Sequence, residues 1–189
     1  MSFDDQPGLE GETIALRGML ESDRAMLTDA AKDAETWAGH PSRDRYKTAV
    51  FAPYFDFLLR AGGASVVTDK ASGTLIGCSR YYVGPDAPED IAIGFTFLNH
   101  HYWGGATNFE MKTLMLDHAF ATFDRVWFHI DSTNPRSQRA TAKLGAVRMA
   151  DAALDLIGAG TPAPWLCFVL ERDAWMRVKV ARQGVTGKT

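Results

Sequence analysis

A β-strand that leads through a glycine turn into a helix is the feature that most constrains how this 189-residue chain can fold. From Ile91 to Phe97, large apolar residues alternate with small ones at a period of two, which predicts a strand. Gly104 and Gly105 follow, ahead of a helical apolar run. Such a turn aims backbone N–H groups and the positive end of a helix dipole at one point. The sequence therefore predicts a site for a phosphate-bearing ligand.

The spacing of residues after the strand limits which phosphate-binding motif this turn can be. Thr107 and Glu110 form a T-x-x-E pattern, which predicts a capping box for a helix with the apolar run 111–123. A P-loop would need Lys-Ser or Lys-Thr after the glycines, and a Rossmann fingerprint would need a third glycine before the helix. Neither is present, and the pattern that remains is H-x-x-G-x-A, from His101 to Ala106.

This pattern resembles the R/Q-x-x-G-x-G/A loop of the GCN5-related N-acetyltransferase (GNAT) superfamily, which in that family wraps the pyrophosphate of coenzyme A. Two longer blocks resemble the branch that contains the RimJ/RimL-like ribosomal-protein acetyltransferases. They are W-G-G-A-T-N-F-E-M-K at 103–112, which resembles the W-G-x-G-x-N-x-E-x-K block with Ala106 at its second glycine, and D-x-x-N-x-R-S at 131–137. The strand at 73–82 and the helix ending at 142–146 also match, and the similarity runs from about residue 14 to 179.

The order of the predicted elements indicates the fold class. Strands come early and a β-α-β-α order follows, which is typical of a mixed α/β sheet with helices on both faces. The resemblance implies a GNAT-like fold of about six or seven strands, antiparallel and then parallel, splayed between the fourth strand (91–97) and the fifth (125–130). We expect one acetyltransferase domain over residues 13–180, with flexible tails at 1–12 and 181–189.

Local patterns predict the remaining elements. Asn134 followed by Pro135 is a typical helix start, with asparagine as the N-cap. The other predictions are helices from about Ser22 to Ala34 and from Tyr46 to Arg60, strands at 13–17, 64–69, 74–82, 125–130, near Val147 and at 165–170, a polar turn at 85–90, and a helix or tail at 175–182.

The resemblance implies that acetyl-CoA is the co-substrate and that the acetyl group passes directly to an amine. Backbone groups near 95–98 are expected to pair with the pantetheine arm of the cofactor, and Asn134 is expected to hydrogen bond to it. The predicted CoA-binding residues are Phe97, Leu98, Trp103, Gly104, Gly105, Ala106, Thr107, Asn108 and Asn134.

Ser137 is the predicted catalytic residue, because the resemblance implies that its hydroxyl lies near the thioester sulfur. A hydroxyl there could stabilise or protonate the departing thiolate. The alternative is an ordinary residue in the first turn of a helix. Arg80, Tyr81 and His129 are predicted to bind the acceptor substrate, although Arg80 could equally be an exposed strand charge and His129 a core histidine.

Two departures from the family pattern keep an alternative function open. His101 stands where many members have Arg or Gln, and Ala92 stands where many have a Glu that could act as general base. A non-catalytic GNAT-like module that binds CoA or a partner is therefore the alternative, and a regulatory nucleotide-binding domain is a weaker third. The acceptor, a protein N-terminus or a small-molecule amine, is not encoded in any motif.

Composition sets further expectations. A net charge of −3 argues against a nucleic-acid partner, and no apolar run is long enough to span a bilayer. Cys78 and Cys167 lack C-x-x-C spacing, which favours reduced thiols in the cytoplasm over a disulfide or metal site. No acidic residue or cysteine lies at ligand spacing from His100 and His101, so we expect no metal. The sequence leaves the oligomeric state open, and a homodimer is compatible with it.

Overall fold

The computed structural model describes residues 3–186, with side chains through Arg182, and contains nine β-strands and six α-helices within that range. The chain divides into two compact units. The first comprises the chain up to Tyr82 together with Ile93–Ala119, and the second comprises Val83–Ala92 and the chain from Phe120 onward. Two long strands, β4 (Leu75–Gly84) and β5 (Ala87–Leu98), contribute residues to both units.

The first unit contains a sheet of five strands, hydrogen-bonded in chain order. They are β1 (Leu9–Glu10), β2 (Ile14–Gly18), β3 (Ala64–Asp69), β4 (Leu75–Gly84, here through Tyr82) and β5 (Ala87–Leu98, here from Ile93). β1 to β4 pair antiparallel. Gly73, with a φ of 71°, makes the left-handed step in the turn between β3 and β4, as the hairpin signal predicts.

The helices of the first unit supply its apolar core. They are α1 (Arg24–Ala31), α2 (Ala34–Trp37), α3 (Thr48–Ala61) and α4 (Thr107–Phe120), with short 3-10 helices at Glu21–Asp23, Arg43–Tyr46 and His100–Tyr102. Trp37, Phe51, Phe55 and Leu58 are fully buried in one cluster with β3 and β4 side chains. α3 ends next to Gly62, and Pro53 lies inside the helix.

The second unit is a mixed sheet with two helices. The first part of β5 pairs in parallel with β6 (Arg125–Ile130), and β6 pairs antiparallel with β9 (Ala163–Glu171). Two short strands, β7 (Val147–Arg148) and β8 (Ala152–Leu154), also pair with β9. α5 (Pro135–Ala142) follows β6, and α6 (Arg172–Thr186) follows β9. The predicted mixed α/β fold, with antiparallel and parallel pairing, is confirmed.

The strand count differs from the prediction for a physical reason. Six strands have five residues or more, in agreement with the predicted six or seven, and the other three have only two or three residues. Period-2 alternation cannot be seen in so short a segment. The predicted polar turn at 85–90 is limited to Pro85 and Asp86, because β5 begins at Ala87. Asp90 is buried there and accepts hydrogen bonds from Trp127 and Arg125, which satisfy its charge.

The predicted capping box at the start of α4 was also wrong. Thr107 is the first helical residue, and the Glu110 carboxylate accepts hydrogen bonds from the backbone N–H of Thr13, at 2.8 Å, and from its hydroxyl. Gly11 leaves room for this carboxylate, since a Cβ there would lie 2.2 Å from Glu110 Oε1. A tertiary partner has replaced the local one that the T-x-x-E pattern indicates.

Both predicted tails contain ordered structure in the described residues. Leu9–Glu10 pairs with β2, the Gln6 amide donates to the Ala64 carbonyl at 2.9 Å, and the Phe3 ring lies 5.2 Å from the Tyr81 ring. At the other end α6 continues to Thr186. Residues 1–2 and 187–189 lie outside the described residues. None of the helices described is both long and apolar enough to cross a membrane.

Candidate functional site

The turn before α4 presents open backbone at a helix N-terminus. Trp103 to Ala106 are exposed, and Gly104 has a left-handed φ of 75°. A Cβ added at Gly104 or Gly105 would meet no atom within 4 Å. The first N–H groups of an α-helix have no acceptor within the helix, and the bond from Glu110 N to Ala106 O closes the first turn. The turn can therefore hold an anion on its backbone N–H groups.

Side chains from the connection between β5 and α4 hold this turn in place. The indole N–H of Trp103 donates to the Leu98 carbonyl at 2.9 Å, which ties the turn to the end of β5. Asn99 accepts from the His101 N–H and donates to the Ala30 carbonyl, each at 3.0 Å. The predicted CoA-binding residues Leu98 and Trp103 are thus in direct contact, and the connection is fixed at both ends.

β5 is irregular immediately before that connection. Phe95 has a φ of 52° and is the one described non-glycine residue with a positive φ. Its carbonyl accepts a hydrogen bond from the Tyr54 hydroxyl at 2.9 Å. At Gly94 a Cβ would lie 2.9 Å from the Tyr82 ring, so only glycine fits. Left-handed bulky residues are rare and concentrate at functional sites. The break lies where the sequence predicts backbone that pairs with an extended ligand.

A buried lysine lies beside this break, and the sequence analysis assigned it no role. Lys112 Nζ donates to Thr96 Oγ1 at 3.0 Å and to Ser79 Oγ at 3.5 Å, and the two hydroxyls are 2.7 Å apart. Burial lowers the pKa of Lys112 to about 7. Helical spacing could have indicated that Lys112 is buried. Met115 and Leu116, three and four residues further along the helix, lie on the same face and are fully buried.

This lysine predicts a pH-dependent stability. The unfolded chain keeps the Lys112 proton up to a pKa of about 10.4, so above pH 7 the unfolded state binds more protons and stability rises with pH. Relative to Lys112→Met, the unfolding free energy of the unsubstituted protein should rise by up to about 1.4 kcal/mol per pH unit between pH 7 and about 8.5. Denaturant unfolding at several pH values measures this slope.

Two other residues determine the pH range and the control variant of this unfolding experiment. Burial raises the pKa of Cys78 to about 12, so above about 8.5 the unfolded thiol loses its proton first and contributes a slope of opposite sign that offsets the slope from Lys112. Lys32→Met serves as control, because Lys32 is exposed. Its curve should remain parallel to that of the unsubstituted protein. A parallel curve for Lys112→Met would contradict the assignment.

The two predicted acceptor-binding residues of β4 are engaged within the first unit. The Arg80 guanidinium donates to the carbonyls of Gly62, at 2.7 Å, and Ala61, at 3.1 Å, at the end of α3. Burial lowers the pKa of Arg80. The Tyr81 hydroxyl donates to the Met115 carbonyl, and Tyr81 is buried. Arg80 is therefore not an exposed strand charge, and acceptor binding by either residue stays a prediction.

In the second unit, the helix start at Asn134 has the predicted geometry. The Asn134 side-chain oxygen accepts from the Ser137 backbone N–H at 3.1 Å, and Pro135 occupies the first helical position. This confirms the predicted N-cap. Asn134 is buried and Ser137 is half-buried. The cap uses the backbone of Ser137, so its hydroxyl is not required for that hydrogen bond.

His129 is buried next to a carboxylate that the sequence did not indicate. Its Nε2 lies 3.2 Å from the Asp86 carboxylate. Burial lowers the pKa of His129, and Asp86 opposes that effect. Ala92, where many relatives in the resembled branch have Glu, is also buried. Acceptor binding by His129 stays a prediction, since the imidazole faces a protein side chain.

The tandem histidines have an acidic neighbour that chain spacing did not indicate. Asp33 Oδ2 lies 3.4 Å from His100 Nδ1, a buried atom with no hydrogen-bond partner in the described structure. The ligand atoms of Asp33, His100 and His101 lie within 4.8 Å of one another. Sequence spacing did not indicate Asp33 as a neighbour of the histidines, because the fold brings a distant part of the chain to them.

Comparison with known proteins gives one family and a set of structural neighbours. A family model described as an acetyltransferase (GNAT) domain matches residues 13–147, more than half of the chain. A comparison with curated protein sequences gave no significant match. A GCN5-related N-acetyltransferase from Brucella melitensis is 19% identical with a TM-score of 0.77, over 95% of this chain and 85% of that chain.

Two further solved structures share the fold at lower similarity. RimJ from Mycobacterium smegmatis, in complex with CoA-disulfide, is 18% identical with a TM-score of 0.61, over 89% of this chain and 88% of that chain. FdhC, described as a nucleotide-linked sugar GNAT, is 14% identical with a TM-score of 0.63, over 94% of this chain and 97% of that chain. At these identities the likeness shows the fold alone.

Proposed function

The chain belongs to the GNAT acetyltransferase family, and we propose that it transfers an acetyl group from acetyl-CoA directly to a primary amine. The observation that carries the proposal is the glycine turn before α4. Gly104 is left-handed with open space above it, inside the segment that the family model matches. This is the geometry that a pyrophosphate on a helix N-terminus requires.

Residues of the first unit form a surface on which the cofactor could bind. Backbone N–H groups from Gly104 to Asn108 would hold the pyrophosphate, since the exposed turn carries no side chain over Gly104 or Gly105. Backbone groups of Phe97 and Leu98, which follow the break in β5, would pair with the pantetheine arm. Acetyl-CoA itself would supply an activated thioester.

The residues of the second unit supply the proposed chemistry. Asn134 would hydrogen bond to the pantetheine arm. The neutral amine nitrogen attacks the thioester carbonyl, a C–N bond forms and the C–S bond breaks. The Ser137 hydroxyl would donate a hydrogen bond to the departing thiolate. The amine nitrogen loses one proton to solvent and the thiolate takes up one proton from solvent, and the buried methyl of Ala92 takes no part in this exchange. No acetylated enzyme forms.

The acceptor is proposed as one of two classes of amine. We propose the RimJ/RimL-like branch, on the sequence blocks at 103–112 and 131–137, and that branch includes enzymes that act on protein N-termini. A small-molecule amine is the other candidate. FdhC, a nucleotide-linked sugar GNAT, is similar in fold, so the fold alone does not choose between the two.

Thiol release from acetyl-CoA tests the function. The protein is incubated with acetyl-CoA and a panel of peptides with free N-termini, and in parallel with small amines and amino sugars. We expect acceptor-dependent release of CoA, with the highest kcat/KM on a peptide N-terminus. Binding of acetyl-CoA without release on any acceptor would favour the non-catalytic module and contradict the proposal.

A further inference from the structure

Three metal-ligating side chains from separate segments of the second unit converge on one point. Asp86 lies in the turn between β4 and β5, His129 in β6 and Cys167 in β9. Their ligand atoms, a carboxylate oxygen, an imidazole nitrogen and a thiol sulfur, lie within 4.8 Å of one another. We propose that this cluster binds a zinc ion, in which case His129 would be a metal ligand and not part of the acceptor pocket.

The pairing of β6 with β9 fixes two of the three donors. His129 and Cys167 are partners in the antiparallel register, so their side chains leave the sheet on the same face and next to each other. Both residues are buried. Their convergence is a property of the sheet and does not depend on the conformation of a loop.

The spacing of the donors suits a tetrahedral ion. Zinc binds imidazole nitrogen and carboxylate oxygen at about 2.0–2.1 Å, so two such ligands at a tetrahedral angle lie about 3.3 Å apart. The His129 nitrogen and the Asp86 oxygens are 3.2 Å apart. A His–Asp hydrogen bond alone would account for that distance, and the Cys167 thiol adds a soft third donor within 4.8 Å of both.

The chemistry of the donor set selects zinc over the hard cations. A thiolate and an imidazole suit zinc, whereas magnesium and calcium prefer oxygen ligands alone. The Asp86 side chain is 19% exposed, which leaves a side from which an ion and a water ligand can enter.

Neighbouring groups position the imidazole and connect the site to stability. The Trp127 ring is stacked on the His129 ring at an interplanar angle of 8°, and a Cβ at Gly84 would lie 2.9 Å from His129 Cε1. The ring is therefore held in a narrow slot, as a ligand position requires. An ion bound to Asp86 would join the β4–β5 turn to β6 and β9, so zinc should stabilise the folded protein.

The test measures metal binding and not activity, so its outcome is independent of the proposed function. Full-length protein is stripped with a chelator and titrated with Zn²⁺ against a chromophoric chelator, and Co²⁺ is used to detect a thiolate-to-metal absorption band. We expect one equivalent of zinc, a cobalt–thiolate band and a higher melting temperature with zinc.

Variants locate the site. Cys167→Ala and Asp86→Asn should each lower zinc affinity by more than the roughly 10- to 100-fold typical of losing an outer-shell partner. Cys78→Ala, at a buried thiol of the first unit, and His100→Ala, at the other histidine cluster, should bind as the unsubstituted protein does. Asp86→Asn gives the result if Cys167→Ala fails to fold. The proposal would be overturned if the unsubstituted protein did not bind zinc. It would also be overturned if Asp86→Asn kept full zinc affinity or if His100→Ala lost zinc binding.

Discussion

Replacing Ser137 with alanine is expected to lower turnover by roughly ten- to a thousandfold and to leave acetyl-CoA affinity nearly unchanged. The reason is that a hydroxyl donating to the departing thiolate interacts most strongly in the transition state, where negative charge develops on sulfur. The helix start should survive, because Asn134 is bonded to the backbone N–H of Ser137 and not to its hydroxyl. Steady-state kinetics and calorimetry on the same preparation measure both quantities.

Two matched variants separate catalysis from helix stability. Ser132→Ala removes an exposed hydroxyl from the loop before α5 and should leave turnover unchanged. Asn134→Ala removes the N-cap and should cost about 1 kcal/mol of unfolding free energy. If Ser137→Ala keeps the turnover of the unsubstituted enzyme and only its melting temperature falls slightly, then Ser137 is an ordinary helix residue and has no part in the mechanism.

Replacing Gly104 with aspartate is expected to abolish measurable CoA binding while the fold persists. The backbone there is left-handed, and the space above it is open. A carboxylate at that position would fill the space and repel the pyrophosphate that we propose binds there. Isothermal titration calorimetry with CoA measures the affinity, and circular dichroism verifies the fold.

Backbone strain needs its own control, because a non-glycine residue in the left-handed region is disfavoured by about 1–2 kcal/mol. Gly73 has a φ of 71° and the same open surroundings, so Gly73→Asp introduces similar strain and charge elsewhere. It should bind CoA normally. Gly104→Ala should bind CoA better than Gly104→Asp, since it adds bulk without charge. Normal CoA binding by Gly104→Asp would show that the turn is not the pyrophosphate site.

Elements with local signals could be predicted closely from the sequence. The strands at 64–69 and 125–130 have the predicted bounds, because each is a short run of β-forming residues between turn signals. Asn134 and Pro135 mark a helix start by their own conformational preferences, and the structure confirms it. Gly62 likewise ends α3, with a φ of 71°. In each case the residues that decide the structure are neighbours in the chain.

Features that depend on distant partners could not be predicted in this way. Glu110 bonds to Thr13, and Asp33 lies next to His100, although neither pair is close in sequence. Asp86 belongs to a turn whose polar residues look solvated, yet it reaches His129. The positive φ of Phe95 has no local signal beyond the adjacent glycine, because phenylalanine avoids that conformation.

Isotopic labelling can show whether the protein transfers an acetyl group directly from acetyl-CoA to an amine. The protein is incubated with acetyl-labelled acetyl-CoA and the best acceptor of the panel, and intact masses of protein and acceptor are followed with time. We expect one labelled acetyl group on the acceptor amine for each CoA released, and none on the enzyme. Labelled enzyme that forms before labelled acceptor, or CoA binding with no labelled amine, would contradict it.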